Sequence, residues 1–116
     1  MENAILTALA DPEMVGILDS TMDRARSAWD IIMETKIPST TAYRKIKWLL
    51  REKLLVVDSI SISTEGKKYS LFHSVLRSVV VRYENNKILI EKQPNYRNPP
   101  IQLLNNSSIY ETTSAI

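Results

Sequence analysis

Cysteine is absent from the 116-residue chain, glycine occurs only twice and histidine only once. Without cysteine the chain can form neither a disulfide framework nor a thiolate metal site, and it has no cysteine nucleophile. A single histidine, His73, cannot make a histidine cluster for a metal ion. We therefore expect no metal and no cofactor, and we assign His73 a structural role.

Long apolar runs are also missing. No run of the sequence approaches the roughly 18 residues that a membrane span requires. The stretch MENAILTALADPE carries acids rather than the cations that open a signal peptide. We expect a cytoplasmic protein that does not enter a membrane. With 44% hydrophobic and 24% charged residues, the chain has the composition of a folded globular domain.

The known sequence signatures of catalysis are not found. The chain contains no glycine-rich phosphate loop, no nucleophile elbow and no metal-ligand spacing. The acids Asp19, Asp23, Asp30 and Glu34 are spaced like solvent-facing helix positions rather than like a catalytic pair. We predict that the protein is not an enzyme.

Charge is unevenly distributed along the chain. Residues 1–34 hold two Lys or Arg against seven Asp or Glu, whereas residues 35–82 hold ten against three. So large an asymmetry within one small domain is typical of a surface that faces a polyanion, although a solvated helix surface also produces it.

Two short helices are predicted before the basic region. Asp11-Pro12-Glu13 is a helix start, because Asp11 can cap open N–H groups and proline suits the first helical position. We predict a first helix over residues 12–20 and a second over 27–35. Trp29, on the second helix, is expected in the core or in a subunit contact.

The basic helix is predicted from Ser39 to Glu52, after a break at Pro38. Ser39 and Thr40 directly follow the proline, where hydroxyl side chains can cap the helix. Helical spacing predicts a core stripe that is completed at its edge by the alkyl stem of Lys53: Ala42, Ile46, Leu49, Leu50 and Lys53.

The opposite side of this helix is predicted to carry cations. Arg44 lies about 160° from Ile46 on the helical wheel. The predicted outward face is flanked by Lys47 on one side and Lys45 on the other, and its members are Thr40, Thr41, Arg44, Trp48 and Arg51. Trp48 can either stack on a ligand or pack against another segment. Tyr43 is expected in the core with its hydroxyl reaching outward.

Two hairpins are predicted after the helices. Alternation over Val56–Ser63 and again over Tyr69–His73 predicts strands, joined by a turn over Thr64–Lys68 in which Gly66 supplies a positive φ. A second hairpin turns at Asn85-Asn86. Its first strand could instead be a helix, because Val75, Leu76, Val79 and Val80 also fit helical spacing; β-branched residues favour the strand.

The predicted fold is α+β: a winged helix-turn-helix of three helices and a β-hairpin wing, with an additional C-terminal β-hairpin. In this arrangement the third helix enters the DNA major groove and the wing lies along the backbone. We predict a DNA-binding domain over residues 1–74, the additional hairpin over 75–92, and a flexible or partner-docking tail over 93–116.

Particular stretches resemble a known family. ALADPEMVGILDS resembles the opening helix of ArsR-type winged-helix regulators, and METKIPSTTAYRKIKWLLREKLLVV resembles the helix-turn-helix core of archaeal regulators of that superfamily. TEGKKYSLFHSVLRSVVVRYENNKILIE is similar to the wing and second hairpin of some archaeal members. The resemblance implies a sequence-specific transcription regulator that binds double-stranded DNA as a homodimer.

The residues expected to contact DNA follow from the helix face and the wing. On the recognition helix they are Ser39, Thr40, Thr41, Tyr43, Arg44, Lys45, Lys47, Trp48 and Arg51, and on the wing they are Lys67 and Lys68. The family usually has glycine in the turn where this chain has Lys36. A non-glycine residue at positive φ costs about 1 kcal/mol, so a turn of different shape is expected there.

A second hypothesis retains the winged-helix fold and replaces DNA with a protein as the partner. Winged helices also serve as protein-interaction modules, for example within a transcription or processing complex. Apolar exposure on the third helix would favour that function, and Trp48 is the residue that points to it. RNA binding is less favoured, because no run of stacking aromatics lies on the predicted sheet.

Overall fold

The computed structural model describes residues 2–95 and has an α+β fold with two antiparallel two-stranded hairpins. The chain divides into two compact units, of which the first ends at Val75 and the second begins at Leu76. The elements in chain order are α1 Glu2–Leu9, α2 Pro12–Ser20, α3 Ala28–Thr35, α4 Ser39–Arg51, β1 Leu55–Ile62, β2 Lys68–Ser74, β3 Leu76–Glu84 and β4 Lys87–Pro94.

Helices α2 and α3 match the two predicted short helices. Asp11 caps α2, its Oδ1 accepting hydrogen bonds from the backbone N–H groups of Glu13 (3.0 Å) and Met14 (3.2 Å). Ser27 caps α3 by accepting from the Asp30 N–H. Helix α1 is not among the predicted elements, so the described chain has four helices rather than three. Its buried residues, Ala4, Ile5 and Ala8, follow helical spacing.

The start of α4 differs from the prediction. Pro38 occupies the N-cap position and no side chain caps the helix, so Ser39 is already the first helical residue. Ser39 and Thr40 are both exposed. The helix ends at Arg51, with Glu52 as its C-cap.

Shortly after their last helical residues, α3 and α4 are each terminated by a lysine in the left-handed conformation. Lys36 (φ 64°) donates its N–H to the Ile32 carbonyl, which is the αL form of helix ending. After α4, Lys53 (φ 63°) bonds to Leu50 and Leu54 bonds to Leu49, which is a Schellman motif. The turn before Ile37-Pro38 is therefore left-handed even though Lys36 replaces glycine, and each lysine costs about 1–2 kcal/mol of strain.

The core of the first unit is built by all four helices and the start of β1. Its most fully buried large side chains are Ile5, Ile17, Ile31, Leu49, Leu54 and Leu55. Burial of one such side chain stabilises the fold by about 1.5–3 kcal/mol. The core stripe of α4 includes Ala42, Ile46 and Leu49, whereas Leu50 is half-buried and Lys53, outside the helix, is exposed.

Strands β1 and β2 form a hairpin with a three-residue loop, Thr64–Gly66. Gly66 (φ 82°) donates to the Ser63 carbonyl at 2.9 Å, and Ser63 donates to the Lys67 carbonyl at 2.8 Å. This is a turn closed by a glycine in the left-handed conformation, as predicted. Most β1 residues are exposed, so the distal part of the hairpin extends away from the core.

The base of this hairpin is fixed to the helices by backbone hydrogen bonds. Arg26, between α2 and α3, exchanges two bonds with Phe72 of β2, at 2.9 and 2.7 Å. Ser74 donates to the Thr21 carbonyl, and the Arg26 guanidinium binds the Ser20 carbonyl and the Glu34 carboxylate. The hairpin therefore has an anchored base and an exposed tip. His73 is buried near the base.

The second unit contains the β3–β4 hairpin. Glu84 pairs with Lys87, and both residues of the intervening loop, Asn85 (φ 54°) and Asn86 (φ 61°), have positive φ, as a type I′ turn requires. The strand interpretation of residues 76–83 is confirmed, and the helix alternative is wrong. β4 continues to Pro94, so the tail predicted from Gln93 begins too early; residues 96–116 lie outside the described part of the chain.

Candidate nucleic-acid interface

The outward face of α4 carries three cations on one side of the helix. Arg44, Lys47 and Arg51 lie within about 60° of one another on the helical wheel, and Arg44 lies about 160° from both Ala42 and Ile46. All three cations are exposed, whereas Ala42 and Ile46 are buried. The three exposed cations and the buried core residues thus lie on opposite sides of α4.

None of these three side chains forms a hydrogen bond or an ion pair with another residue in the range 2–95. A surface cation that already pairs with a carboxylate would have to break that pair before it could bind an anion. Arg44, Lys47 and Arg51 have no such cost within the described structure, and their side chains extend into solvent.

Lys45 is placed differently from the prediction, which put it beside the exposed face. Its side chain is 11% exposed, and Nζ lies 2.6 Å from Asp11 Oδ2 and 2.7 Å from Glu13 Oε1. On the wheel Lys45 is about 60° from Ala42 and about 40° from Leu49, on the buried side of the helix. Its charge is neutralised within the protein, so Lys45 does not belong to the candidate interface.

The carboxylate of Asp11 connects two helices. One oxygen caps the N-terminus of α2, and the other binds Lys45 of α4. Because Lys45 is one residue from Arg44, this contact also fixes the rotation of α4 about its axis. The sequence contains a signal for it: Lys45 falls between two core positions of the helix, and carboxylate partners for its charge are available in the acidic start of α2.

The hydrogen bond from Lys45 is the largest cause that lowers the pKa of Asp11 below its ordinary value of 3.8. In turn, the hydrogen bonds that Lys45 donates to Asp11 and then to Glu13 raise the pKa of Lys45 above 10.5. The stability contributed by Asp11 is therefore present above pH 3.8 and is lost as the pH falls through the lower folded-state pKa. The stability contributed by Lys45 is present below pH 10.5 and is lost as the pH rises through the raised folded-state pKa.

Asp11→Asn tests this ion pair, because asparagine keeps the helix cap and removes the charge. We expect a loss of about 1–2 kcal/mol of unfolding free energy at pH 7, measured by urea denaturation. The difference from the unsubstituted protein should be constant from about pH 5 to 9 and should vanish at strongly acidic pH. Asp11→Ala is the control that also removes the cap and should cost about 1 kcal/mol more. A difference that persisted at acidic pH would exclude the carboxylate as its source.

Three aromatic residues occupy positions that helical spacing alone does not define. Tyr43, expected in the core, is 56% exposed. The buried side of α4 includes Lys45 and does not include Tyr43. Trp48 is half-buried at the border of the outward face. Trp29 is 66% exposed, so its predicted place in the core is wrong, and the alternative, a subunit contact, stays a prediction.

The remaining predicted contact residues surround this face or occupy the hairpin tip. Ser39 and Thr40 are exposed at the start of α4, and Thr41 is half-buried. Lys67 and Lys68 are exposed where the β1–β2 loop enters β2. The Lys67 backbone N–H donates a hydrogen bond to Ser63 Oγ and helps to close the loop, and the Lys67 side chain is exposed.

Two other kinds of site are absent from residues 2–95. This part of the chain contains no group of three or more His, Asp or Glu side chains arranged to hold a metal ion. No helix in the same range has both the length and the apolar character needed to cross a membrane.

Comparison with known proteins adds no relative to this description. No protein-family model matches the chain, and neither the curated proteins nor the solved structures contain a match to it.

Proposed function

We propose that the protein is a sequence-specific regulator of transcription that binds double-stranded DNA through a winged helix-turn-helix. In this proposal α3, the turn at Lys36 and α4 form the helix-turn-helix, α4 is the recognition helix, and β1–β2 is the wing. The observation that carries the proposal is the outward face of α4, with Arg44, Lys47 and Arg51 exposed and without an ion pair among the described residues.

The dimensions of α4 suit the major groove. A helix is about 10–12 Å across with its side chains, and the groove is about 12 Å wide. Side chains on the outward face of such a helix reach the base edges, where arginine bonds to guanine through two donors and threonine contacts the thymine methyl. Arg44 and Thr40 lie in the N-terminal half of α4, where base contacts concentrate.

The β1–β2 hairpin supplies the second contact in this proposal. Its base is anchored to the segment between α2 and α3, so the position of its tip is defined relative to the helices. Lys67 and Lys68 at that tip are suited to phosphates, which fix the register of a protein on the duplex without reading its sequence. Recognition of a two-fold symmetric site by a homodimer would place the two copies of α4 about 34 Å apart.

A binding measurement with random duplex DNA tests the proposal. We expect saturable binding to a labelled duplex of about 30 base pairs at 50 mM salt, followed by fluorescence anisotropy. The double variant Arg44→Glu, Arg51→Glu should weaken binding at least about 100-fold, since it places anions against phosphates. Arg82→Glu, Lys87→Glu is the matched control: it changes the net charge equally, in the second hairpin, and should retain most of the affinity.

Absence of binding at 50 mM salt would overturn the proposal. Equal reductions of affinity in the two double variants would show that net charge, rather than the α4 face, determines binding, and would overturn the assignment of α4 as the recognition helix.

A second candidate is favoured by the exposed aromatics. Tyr43 on α4 is 56% exposed, and Trp29 and Met33 are exposed one helical turn apart on α3. Such side chains are typical of protein-interaction surfaces. If the chain is a winged-helix interaction module, the unsubstituted protein should not bind random duplex, and Trp29→Ala should abolish capture of a protein partner.

A further inference from the structure

One face of the β3–β4 hairpin is mostly apolar, and the other carries most of the charged residues of its two strands. Residues directly opposite each other in an antiparallel pair point to the same side. The pairs Val81–Ile90 and Tyr83–Ile88 therefore share a face with the pair Val79–Lys92, and we name the five apolar residues of these pairs the apolar face of the second hairpin. The other face carries Arg82, Glu84, Lys87 and Glu91 together with Val80 and Leu89.

Much of the apolar face is open to solvent. Tyr83 is 73% exposed, Ile88 55% and Val81 43%, whereas Ile90, toward the base of the hairpin, is buried. Among the described residues β3 and β4 pair with each other and with no third strand. A two-stranded hairpin is marginally stable by itself in water, and it gains stability when an apolar face is covered.

We propose that a second copy of the chain covers this face, so that two hairpins pack against each other around a two-fold axis. This inference rests on the homodimer of the proposed function and adds its contact surface. A two-fold axis brings a surface of one copy against the same surface of the other copy, so that surface must be complementary to itself. The exposed part of the apolar face, Val81, Tyr83 and Ile88, meets that condition because it carries no charge, and Lys92, on the same side, lies at the base opposite Val79.

Charge also argues against other occupants of the face. On this side the strand pairs place one cation, Lys92, which is half-buried opposite Val79 at the base of the hairpin. The exposed part of the face, Val81, Tyr83 and Ile88, offers a polyanion or an acidic peptide no cation. Most charged residues of the hairpin, Arg82, Glu84, Lys87 and Glu91, lie on the opposite side. There Glu84 and Lys87 are directly paired, so that side suits water. Two hairpins packed face to face make four strands in two layers, the arrangement by which small antiparallel sheets bury their apolar sides.

The area buried between the two hairpins determines the expected affinity of the dimer. A strand pair eight residues long measures about 27 by 10 Å, so two such faces bury on the order of 500–1,000 Å² in total. That is below the roughly 1,200 Å² of a standard stable interface. We therefore expect a dimer that dissociates at micromolar concentration, roughly 1–100 µM.

Two neighbouring valines provide a matched test. Val81 (43% exposed) lies on the apolar face and Val80 (46% exposed) lies on the opposite one. Sedimentation equilibrium on the full chain without DNA should show a monomer–dimer equilibrium. Val81→Lys should raise the dissociation constant at least about tenfold, because the ammonium group would be buried in an apolar contact. Val80→Lys should leave it within about threefold.

Cross-linking provides a second test that does not require the lysine variants to fold. Because the chain has no cysteine, an introduced thiol is unique. With a short bis-maleimide, Tyr83→Cys should give a covalent dimer, and Arg82→Cys, at a similar distance from the hairpin tip, should give only a trace. An unsubstituted chain that stays monomeric up to about 300 µM, well above the expected dissociation constant, or equal behaviour within either pair of variants, would overturn the proposal.

The outcome is independent of DNA binding. A dimer that depends on Val81 together with no binding to random duplex would retain this interface and reject the proposed function. DNA binding by a chain that never dimerises would reject the interface and retain the DNA-binding domain.

Discussion

Raising the salt concentration from 50 to 200 mM should weaken binding to duplex DNA by about 10³ to 10⁵-fold. This range corresponds to a dimer that neutralises about six to ten phosphates. Each protein cation that binds a phosphate releases counterions that were condensed on the DNA. The described cations available for such contacts are Arg44, Lys47, Arg51, Lys67 and Lys68 on each copy, a number compatible with that range. Anisotropy titrations at four or five salt concentrations give the slope of log affinity against log salt.

The slope should change in a graded manner when cations are removed. It decreases by about one for every phosphate that the protein no longer neutralises. Lys67→Ala removes one cation from each copy and should therefore lower the slope of the dimer by about two. Lys45→Ala should leave the slope unchanged, because the Lys45 charge is already paired with Asp11 and Glu13. A large change of slope in the Lys45 variant, provided that it folds, would return Lys45 to the interface.

Arg44→Ala should reduce discrimination at one base position by about 1–3 kcal/mol, or roughly 5 to 150-fold. The reason is that an arginine in the N-terminal half of a recognition helix can form two hydrogen bonds to guanine, and its removal abolishes the preference for that base. A selection from random duplexes first identifies the preferred site, and competition titrations with single-base variants of that site then measure discrimination by each protein.

Arg51→Ala is the matched control, because Arg51 has the same side chain and lies about 20° from Arg44 on the helical wheel, two turns further along. Arg51→Ala should weaken binding to all duplexes alike, because Arg51 lies outside the N-terminal half of α4, where base contacts concentrate. Lys67→Ala and Lys68→Ala should do the same, because these two residues are suited to phosphates. If the Arg44 and Arg51 variants weakened every sequence equally, the assignment of base reading to Arg44 would be wrong.

Local signals in the sequence predict the elements that they control directly. Asp11-Pro12 indicates the start of α2, and Asn85-Asn86 and Gly66 indicate the two hairpin turns, because these residues specify backbone geometry within a few positions. Helix α1 has no comparable cap or proline, and its eight residues are too short for spacing alone to identify it. The missing cap of α4 has a similar reason: a hydroxyl after proline permits capping and does not require it.

The candidate site is predictable on its outward side and less so at its borders. The cations of α4 follow from a pattern within one helix, and the structure leaves Arg44, Lys47 and Arg51 exposed. Lys45 depends on Asp11, 34 positions away, so its pairing follows from how α2 and α4 pack. The same packing turns α4 so that Tyr43 is exposed and Leu50 half-buried. A helical wheel of α4 alone does not define that rotation, because the wheel does not include the packing against α2.

The attachment of α4 at its middle and at its C-terminal end has a consequence for affinity. Lys45 holds the middle of the helix to Asp11, and the Schellman turn at Lys53 places the fully buried Leu54 just beyond its C-terminal end. A helix held in this way is preorganised, so little conformational entropy remains to be given up when a partner meets it. Affinity should then depend on whether the partner's shape fits a rigid surface, and in the proposed complex with DNA, duplexes of poorly matched groove geometry should be rejected even where their bases are correct.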